Sequence, residues 1–99
     1  MYAAVVEASY QPGHEAGEQE HKQMLELLAA QPGYRGALIL DAGEGRHLAV
    51  SIWESAAARQ AAADNPEIRR FLSRLDERQA TPRRLVAAGT VMASDLSRA

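Results

Sequence analysis

The segment from His47 to Ser55 constrains the fold of this chain more than any other stretch. Its apolar and small residues alternate up to the single tryptophan, and an alanine-rich run follows at once. An extended strand here has one wholly apolar face and one face that combines small side chains with an imidazole and an indole. The apolar face consists of Leu48, Val50 and Ile52, and the mixed face of His47, Ala49, Ser51 and Trp53. The small side chains leave room for a ligand, so this strand predicts a pocket.

The rest of the chain alternates strand and helix patterns. Pro32-Gly33 is a helix-ending signal, Ser55 is a good helix cap, and Asn65-Pro66 combines a cap with a proline suited to the first turn. The order β-α-β-β-α-β predicts a ferredoxin-like α+β fold, with a four-stranded antiparallel sheet and both helical layers on one face. The predicted strands are 2–10, 34–41, 47–53 and 84–92, and the helices are 15–31, 56–58 and a longer one from 66 that ends before Pro82.

Composition limits the functional classes. The chain has 99 residues, which predicts one domain over 1–93 and a polar C-terminal tail over 94–99. Lys+Arg 11 against Asp+Glu 13 gives a net charge of −2, which argues against a nucleic-acid partner. The absence of cysteine excludes disulfides and thiolate chemistry.

No apolar run is long enough to cross a membrane, and the N-terminus lacks the basic residues of a signal peptide. We therefore expect a cytoplasmic protein of bacterial type.

Both faces of the outer strand patterns are apolar. In the first strand Val5 and Val6 point to opposite sides, and in the last strand Val86 and Val91 do so as well. The helices of this fold cover only one side of the sheet. The second side is therefore predicted to pack against the sheet of another copy, which makes a homodimer.

Two motifs carry a family resemblance. The helix exit Gln31-Pro-Gly-Tyr-Arg-Gly36 and the strand exit Ser51-Ile-Trp-Glu-Ser55 resemble those of the antibiotic biosynthesis monooxygenase domain family, within the dimeric α/β barrel superfamily. With the first strand and the helix at Asn65-Pro66, the resemblance covers residues 2–93. It implies a dimeric α/β barrel, and it is informative about fold more than about activity. The family includes cofactor-free oxygenases that act on anthrones and hydroquinones, haem-degrading enzymes, and members without an assigned reaction.

The residues of this chain match only part of the family's functional pattern. The oxygenases pair the strand tryptophan with an asparagine four residues earlier, where this chain has Ala49, and place a tyrosine in the next helix, where residues 56–60 contain none. The haem-degrading members use an asparagine in the first strand and a histidine in the second helix. Here no asparagine precedes Asn65 and no histidine follows His47, so haem degradation is disfavoured. No cofactor is expected.

His21 is the best candidate for a general base. It lies three residues before Met24 and four before Leu25, so it belongs on or beside the apolar stripe of the first helix. An imidazole there can remove a proton from a phenol or an activated C–H, although a partly buried histidine bonded to backbone or water is the commoner arrangement. The spacing of His14, Glu18 and His21 suggests a metal site, but a solvated helix start is the better interpretation and no metal is predicted.

Trp53 is the main candidate for ligand binding, because its indole N–H can hold a carbonyl while the ring stacks on a flat aromatic. Packing between the sheet and the second helix is the favoured role, and the two roles are compatible. His47 shares this face but lies about 20 Å along the strand, towards the hairpin. The predicted substrate-binding residues are Trp53, Ala49, Ser51, Tyr34 and Phe71.

The remaining polar candidates receive structural interpretations. Tyr10 is a packing residue that can also line a pocket or an interface. Arg35 and Arg84 are expected in surface or interface ion pairs, although either can hold an anionic oxygen. The last group is interpreted as a solvated helix face: Arg69, Arg70, Arg74 and Arg78.

The resemblance and the residues together suggest a cofactor-independent monooxygenase for a phenolic, anthrone or quinol-type small molecule. In this scheme His21 forms a substrate anion and the pocket excludes water around it. Two alternatives stay open. One is a non-catalytic dimer that binds a small hydrophobic molecule, which the alanine at position 49 favours. The other is an isomerase or cyclase of the same superfamily.

Overall fold

The computed structural model describes residues 1–95, and the part of the predicted tail at 96–99 lies outside the described residues. Its regular elements are β1 (Tyr2–Tyr10), α1 (Glu18–Ala29), β2 (Tyr34–Gly43), β3 (Arg46–Trp53), α2 (Ala56–Ala63), α3 (Pro66–Asp76) and β4 (Gln79–Thr90). The strands form one antiparallel sheet in the order β2-β3-β1-β4. The predicted ferredoxin-like α+β fold is confirmed. No helix within residues 1–95 has the length and apolar character needed to cross a membrane.

The helix caps follow the local chemistry of the sequence. The Ser55 hydroxyl accepts a hydrogen bond from the Ala58 amide at 3.1 Å, and the Asn65 side-chain oxygen accepts from the Glu67 amide at 2.9 Å. These bonds satisfy amides that the helix itself cannot pair. The first helix begins at Glu18, three residues later than predicted, because the preceding residues make a turn around Pro12-Gly13.

The last strand was predicted too late in the chain. It spans Gln79–Thr90, so Pro82 lies inside it and Met92 lies beyond it. Proline removes a backbone donor, but β4 is an edge strand that pairs only with β1, and the register shifts between Glu7 and Ser9, opposite this proline. A proline at such an irregularity costs little. The strand therefore begins at Gln79, before Pro82, and not after it as predicted.

Gly33 joins α1 to β2 at a point that only glycine fits. Its φ is +82°, and a Cβ built on it would lie 2.7 Å from the Cβ of Ala58 in α2. Its carbonyl accepts a hydrogen bond from the Glu54 amide at 2.8 Å. The left-handed conformation and the close approach both need a residue without a side chain. This glycine therefore ties the end of α1 to the end of β3, beside Trp53.

The core on the helix face divides into two clusters. One cluster contains Tyr10, Ala16, Phe71 and Leu75, and the other contains Trp53, Ala62 and Ile68. Along β3 they are separated by Ala49 and Ser51, whose small side chains do not fill the space under the helices. The division of the core at these small residues creates a cavity, as the alternation in this strand predicted.

The opposite face of the sheet is uncovered within the described chain. On this face Leu38 pairs across from Val50, and Leu40 pairs across from Leu48. Leu38 is 45% exposed and Leu40 is 47% exposed. The same face carries Glu7, which forms ion pairs with Arg46 at 2.8 Å and with Arg84 at 3.4 Å. We call this surface, with the four paired apolar residues at its centre, the open face.

Candidate functional site

A cavity of about 420 Å³ lies between the helix face of the sheet and the three helices α1, α2 and α3. Small-molecule sites in proteins have volumes of roughly 300–1,000 Å³, so the cavity is of the size that a small ligand needs. Its floor is built from three strands, with Val6 and Ala8 from β1, Ala37 and Ile39 from β2, and Ala49 and Ser51 from β3. The α1 side contributes His21, Met24, Leu25 and Leu28.

One end of the cavity contains two histidines in contact. The ring centroids of His21 and His47 are 5.1 Å apart, with an interplanar angle of 64°. The Tyr10 ring lies on His47 with the same 5.1 Å separation and a tilt of 58°. His21 Nε2 is buried and has no hydrogen-bond partner among residues 1–95. This nitrogen therefore has an unsatisfied hydrogen-bonding position at the histidine end of the cavity.

The surroundings of His21 favour its neutral form. Burial lowers the pKa of the imidazole below its ordinary value, the neighbouring His47 lowers it further, and the Glu20 carboxylate acts in the opposite direction. Glu20 is itself engaged, since its Oε1 accepts hydrogen bonds from the Arg78 guanidinium at 2.6 Å and from the Gly17 amide at 3.0 Å. The Arg78 hydrogen bond lowers the pKa of Glu20. A neutral His21 can accept a proton from a bound molecule at neutral pH.

The other end of the cavity contains Trp53, which is 2% exposed. The position of the indole is fixed at the end of β3, where its backbone pairs with Tyr2 on one side and Tyr34 on the other. The Tyr34 ring meets the indole edge-on, with centroids 5.7 Å apart. Trp53 Nε1 is buried and has no hydrogen-bond partner among the described residues. The indole therefore offers one unpaired donor.

The predicted substrate-binding residues occupy three kinds of position. Ala49, Ser51 and Trp53 line the cavity. Tyr34 packs against the indole and does not line the cavity itself. Phe71 is buried with Leu75 in the core cluster that contains Tyr10. It does not line the cavity itself but packs behind the residues that do.

The other polar candidates, which the sequence suggested for metal or anion binding, do not lie together in one site. His14 is exposed and precedes α1, so it does not share a helical face with His21. Within residues 1–95 no group of three or more acidic or histidine side chains is placed to hold a metal ion. Arg35 lies 3.7 Å from Glu54 in an exposed ion pair. Arg84 belongs to the open face through its contact with Glu7.

The prediction that Arg78 belongs to a solvated arginine face is wrong. This residue follows α3, and its guanidinium is 33% exposed in the ion pair with Glu20 beside the cavity. The helix ends at Asp76, so the outward direction expected for position 78 does not apply. Arg70 and Arg74 are exposed on α3, as predicted. Arg69 is exposed as well, but its side chain also lines the cavity.

The sequence did not indicate that His47 and Tyr10 lie at the same end of the cavity as His21, the candidate general base. Their proximity depends on pairing between strands that are distant in the chain, because His47 pairs across from Ala8 and the Tyr10 amide donates to the Gly45 carbonyl at 2.9 Å. The one available signal was the alternation that places His47 on the same face as Trp53. This alternation indicates which face of the sheet His47 lies on, but not which residues of other elements contact it.

The fold and the cavity define a class, the ferredoxin-like α+β domains with a small-molecule cavity between sheet and helices. Within this class the chain belongs to the antibiotic biosynthesis monooxygenase family, since the family model of that description matches residues 1–74. No match to the chain is found among curated proteins.

Solved structures share this fold at low sequence identity. NE2512, a protein of unknown function from Nitrosomonas europaea, is 20% identical, with a TM-score of 0.81 and coverage of 96% of this chain and 92% of that chain. Rv0793 from Mycobacterium tuberculosis is 14% identical, with a TM-score of 0.79 and coverage of 94% and 96%. SnoaB, a cofactor-independent oxygenase from Streptomyces nogalater, is 15% identical, with a TM-score of 0.71 and coverage of 94% and 97%.

Proposed function

We propose that this protein is a cofactor-independent monooxygenase that acts on a phenolic, anthrone or quinol-type small molecule bound in the cavity. One observation carries the proposal: an otherwise largely apolar cavity contains two buried ring nitrogens, His21 Nε2 and Trp53 Nε1, without partners among the described residues. Buried polar groups normally have partners, and those that lack them are candidates for ligand contact. One of these nitrogens can accept a proton and the other donates a hydrogen bond.

The proposed reaction needs no outside reductant. His21 takes a proton from an activated CH2 group, and the resulting carbanion transfers one electron to dioxygen. The substrate radical and superoxide then combine into a C–O bond. Protonation and cleavage of the O–O bond give a carbonyl and water, so one oxygen atom enters the product and the other leaves as water. All the electrons that reduce oxygen come from the substrate, and the protein supplies a base, orientation and a site shielded from water.

The similarity to SnoaB supports the absence of a cofactor in this proposal, because that protein is described as a cofactor-independent oxygenase. The floor residue Ala49 favours a second candidate function. At this position the oxygenases that the chain resembles carry asparagine, and the methyl group here cannot make the hydrogen bonds of an amide. A dimer that binds an aromatic molecule without oxidising it is therefore the alternative.

We also propose that the protein is a homodimer packed through its open faces. The exposed Leu38 and Leu40, with Val50 and Leu48 beside them, form a continuous apolar surface that a second sheet can cover. A two-fold arrangement satisfies both copies at once. The proposal includes a cytoplasmic location, which the absence of cysteine fits.

Oxygen consumption tests the proposed activity. The purified protein is supplied with a panel of anthrones and dihydroxynaphthalenes, and uptake is recorded against the uncatalysed rate. With ¹⁸O-labelled dioxygen, a monooxygenase places one labelled atom in the product. Saturable uptake with this labelling is the expected result. Compounds that bind without uptake and leave unchanged favour the binding dimer, and compounds that are rearranged without uptake favour the isomerase or cyclase.

A further inference from the structure

Two side chains of the cavity wall also border an outer depression of the molecular surface. The cavity and this depression, which has a volume of about 490 Å³, both have Gln79 and Arg83 in their linings. Asp76, the last residue of α3, borders the outer depression. Gln79 pairs across from Tyr10, which lines the cavity and contacts His47. The partition between the two spaces therefore lies at the histidine end of the cavity.

One carboxylate oxygen holds both side chains of this partition. Asp76 Oδ1 accepts a hydrogen bond from the Gln79 side-chain amide at 2.9 Å and another from the Arg83 guanidinium at 2.9 Å. The helix dipole disfavours a carboxylate at the C-terminal end of a helix, so the two donors compensate for an unfavourable position. We call these three residues the Asp76 cluster.

The Asp76 cluster is held weakly. The side chains of Arg83 and Asp76 are 31% and 42% exposed, and ion pairs with this exposure are weak and screened by salt. Gln79 Oε1 is buried and has no hydrogen-bond partner among residues 1–95. A buried acceptor without a partner is unfavourable, and release of the side chain into water removes this cost. Both observations lower the free energy needed to separate the cluster.

The backbone beside the cluster is fixed, so separation needs only side-chain rotation. The Gln11 amide donates to the Arg78 carbonyl at 3.0 Å, and the Gln11 side chain donates to the Gln79 carbonyl at 3.5 Å. These contacts hold the start of β4 against the end of β1. Rotation of exposed side chains takes picoseconds to nanoseconds, which is fast compared with ligand binding.

We infer that the Asp76 cluster is a gate through which a small molecule enters and leaves the cavity. The ligand then arrives beside His21, and closure of the gate limits the access of water. The inference goes beyond the proposed function and shares with it only the binding of a small molecule in the cavity. Because ligands pass the same gate in both directions, its removal raises the association and dissociation rates by the same factor. The dissociation constant is then nearly unchanged.

Binding kinetics of 1-naphthol test the gate. Stopped-flow fluorescence of Trp53, the single tryptophan, follows binding in the absence of dioxygen, so that no oxidation occurs. Asp76→Ala removes both hydrogen bonds, and we expect both rate constants to rise about three- to tenfold while the dissociation constant stays within about twofold. Arg83→Gln should have a smaller effect because Gln79 keeps its bond, and Arg83→Lys should stay near the wild-type rates.

Arg35→Gln is the matched control, because it breaks an exposed ion pair with Glu54 outside the cavity lining. Its rate constants should equal those of the wild-type protein. Salt gives a second measurement that a merely structural role would not change. Sodium chloride at about 1 M should raise the rates of the wild-type protein more than those of Asp76→Ala, which has no ion pair left to screen at this site.

The outcomes separate this inference from the proposed function. A parallel rise of both rate constants in Asp76→Ala, absent in Arg35→Gln, supports the gate. Unchanged rates in Asp76→Ala, a change in the dissociation rate alone, or failure of the wild-type protein to bind 1-naphthol overturns it, while oxygen uptake still decides the activity. Thermal unfolding shows whether each variant is folded, and if Asp76→Ala is not, the rates of Arg83→Gln decide.

Discussion

The imidazole rings of His21 and His47 meet edge-on at 5.1 Å, although the two residues come from α1 and from the hairpin end of β3. The contact places a second titratable ring against the candidate base, inside a cavity that Tyr10 closes on the far side of His47. A charge on the His47 ring would disfavour protonation of His21. Burial first and this neighbouring ring second lower the pKa of His21, which keeps it neutral and able to accept a proton.

The pH dependence of activity follows from this contact. The pKa of His21 lies below its ordinary value of 6.5, because of burial first and His47 second, with Glu20 opposing. We expect the acid limb of the kcat/KM profile to have its midpoint below that value. Replacement of His47 by glutamine removes one cause of the lowering, so the midpoint moves to higher pH. A downward shift in the variant contradicts the assignment, and an NMR titration of His21 checks it without catalysis.

The same shift has a consequence for stability. A histidine whose pKa is lowered in the folded state binds fewer protons there than in the unfolded chain. Its contribution is fully present above about pH 6.5 and is lost as the pH falls through the folded-state pKa. We expect His21→Gln to lessen the fall in unfolding free energy on acidification, with denaturant titrations at several pH values as the measurement.

The cavity floor gives a test of the binding site. Ala49→Leu adds three carbons above the floor, where the space under the helices is unfilled. We expect the variant to fold and to lose most of its affinity for 1-naphthol, because the added volume occupies the ligand's place. Its unfolding free energy should change by less than about 1.5 kcal/mol, since filling a cavity offsets the strain of a larger side chain. Ala61→Leu, on the exposed side of α2, is the control. Unchanged affinity in Ala49→Leu places the binding site elsewhere.

The indole N–H can be separated from the indole ring. Trp53→Phe keeps an aromatic ring and removes a donor that has no partner among the described residues. Stability should therefore fall much less than in Trp53→Ala, for which the lost packing costs about 3–5 kcal/mol. Affinity for ligands that present a carbonyl or phenol oxygen should fall in both variants. An equal loss of unfolding free energy in Trp53→Phe and Trp53→Ala would contradict this, because it would mean that the indole N–H, and not the packing of the ring, stabilises the fold.

The open face provides a test of the homodimer. Leu38→Glu or Leu40→Glu puts a carboxylate in the centre of the apolar surface, where a second sheet would bury it. The molar mass measured by light scattering should fall from that of a dimer to that of a monomer of 10.7 kDa. Ala57→Glu, exposed on α2, should leave the mass unchanged. A wild-type protein that is monomeric at every concentration contradicts the proposed packing.

The alternation from His47 to Trp53 predicted which side chains share a face of the sheet, because side-chain direction along a strand is a local property. It also predicted a space above Ala49 and Ser51, and the cavity lies there. The caps at Ser55 and Asn65 are local as well, since each bonds to amides two or three residues ahead. For such features the sequence alone is sufficient.

The features that depend on distant pairing were not predicted. His47 meets His21 only because β3 lies in a particular register beside β1 and under α1. Arg78 reaches Glu20 across 58 positions of the chain, and the edge position of β4 lets Pro82 lie within a strand. The charge pattern of α3 gave no sign that Arg69 lines a cavity. Position along one helix indicates which side chains share a face, but not what lies opposite them.

The most direct test of the central claim is the turnover rate of His21→Gln with a substrate that the wild-type protein oxidises. The reaction as proposed needs the base at Nε2, and loss of a general base lowers kcat by about a hundredfold or more. His14→Gln is the matched control, since His14 is exposed and precedes α1. A large fall in kcat in the first variant, with an unchanged rate in the second, is the predicted result. A wild-type rate in His21→Gln contradicts the assignment of this cavity end as the reacting site.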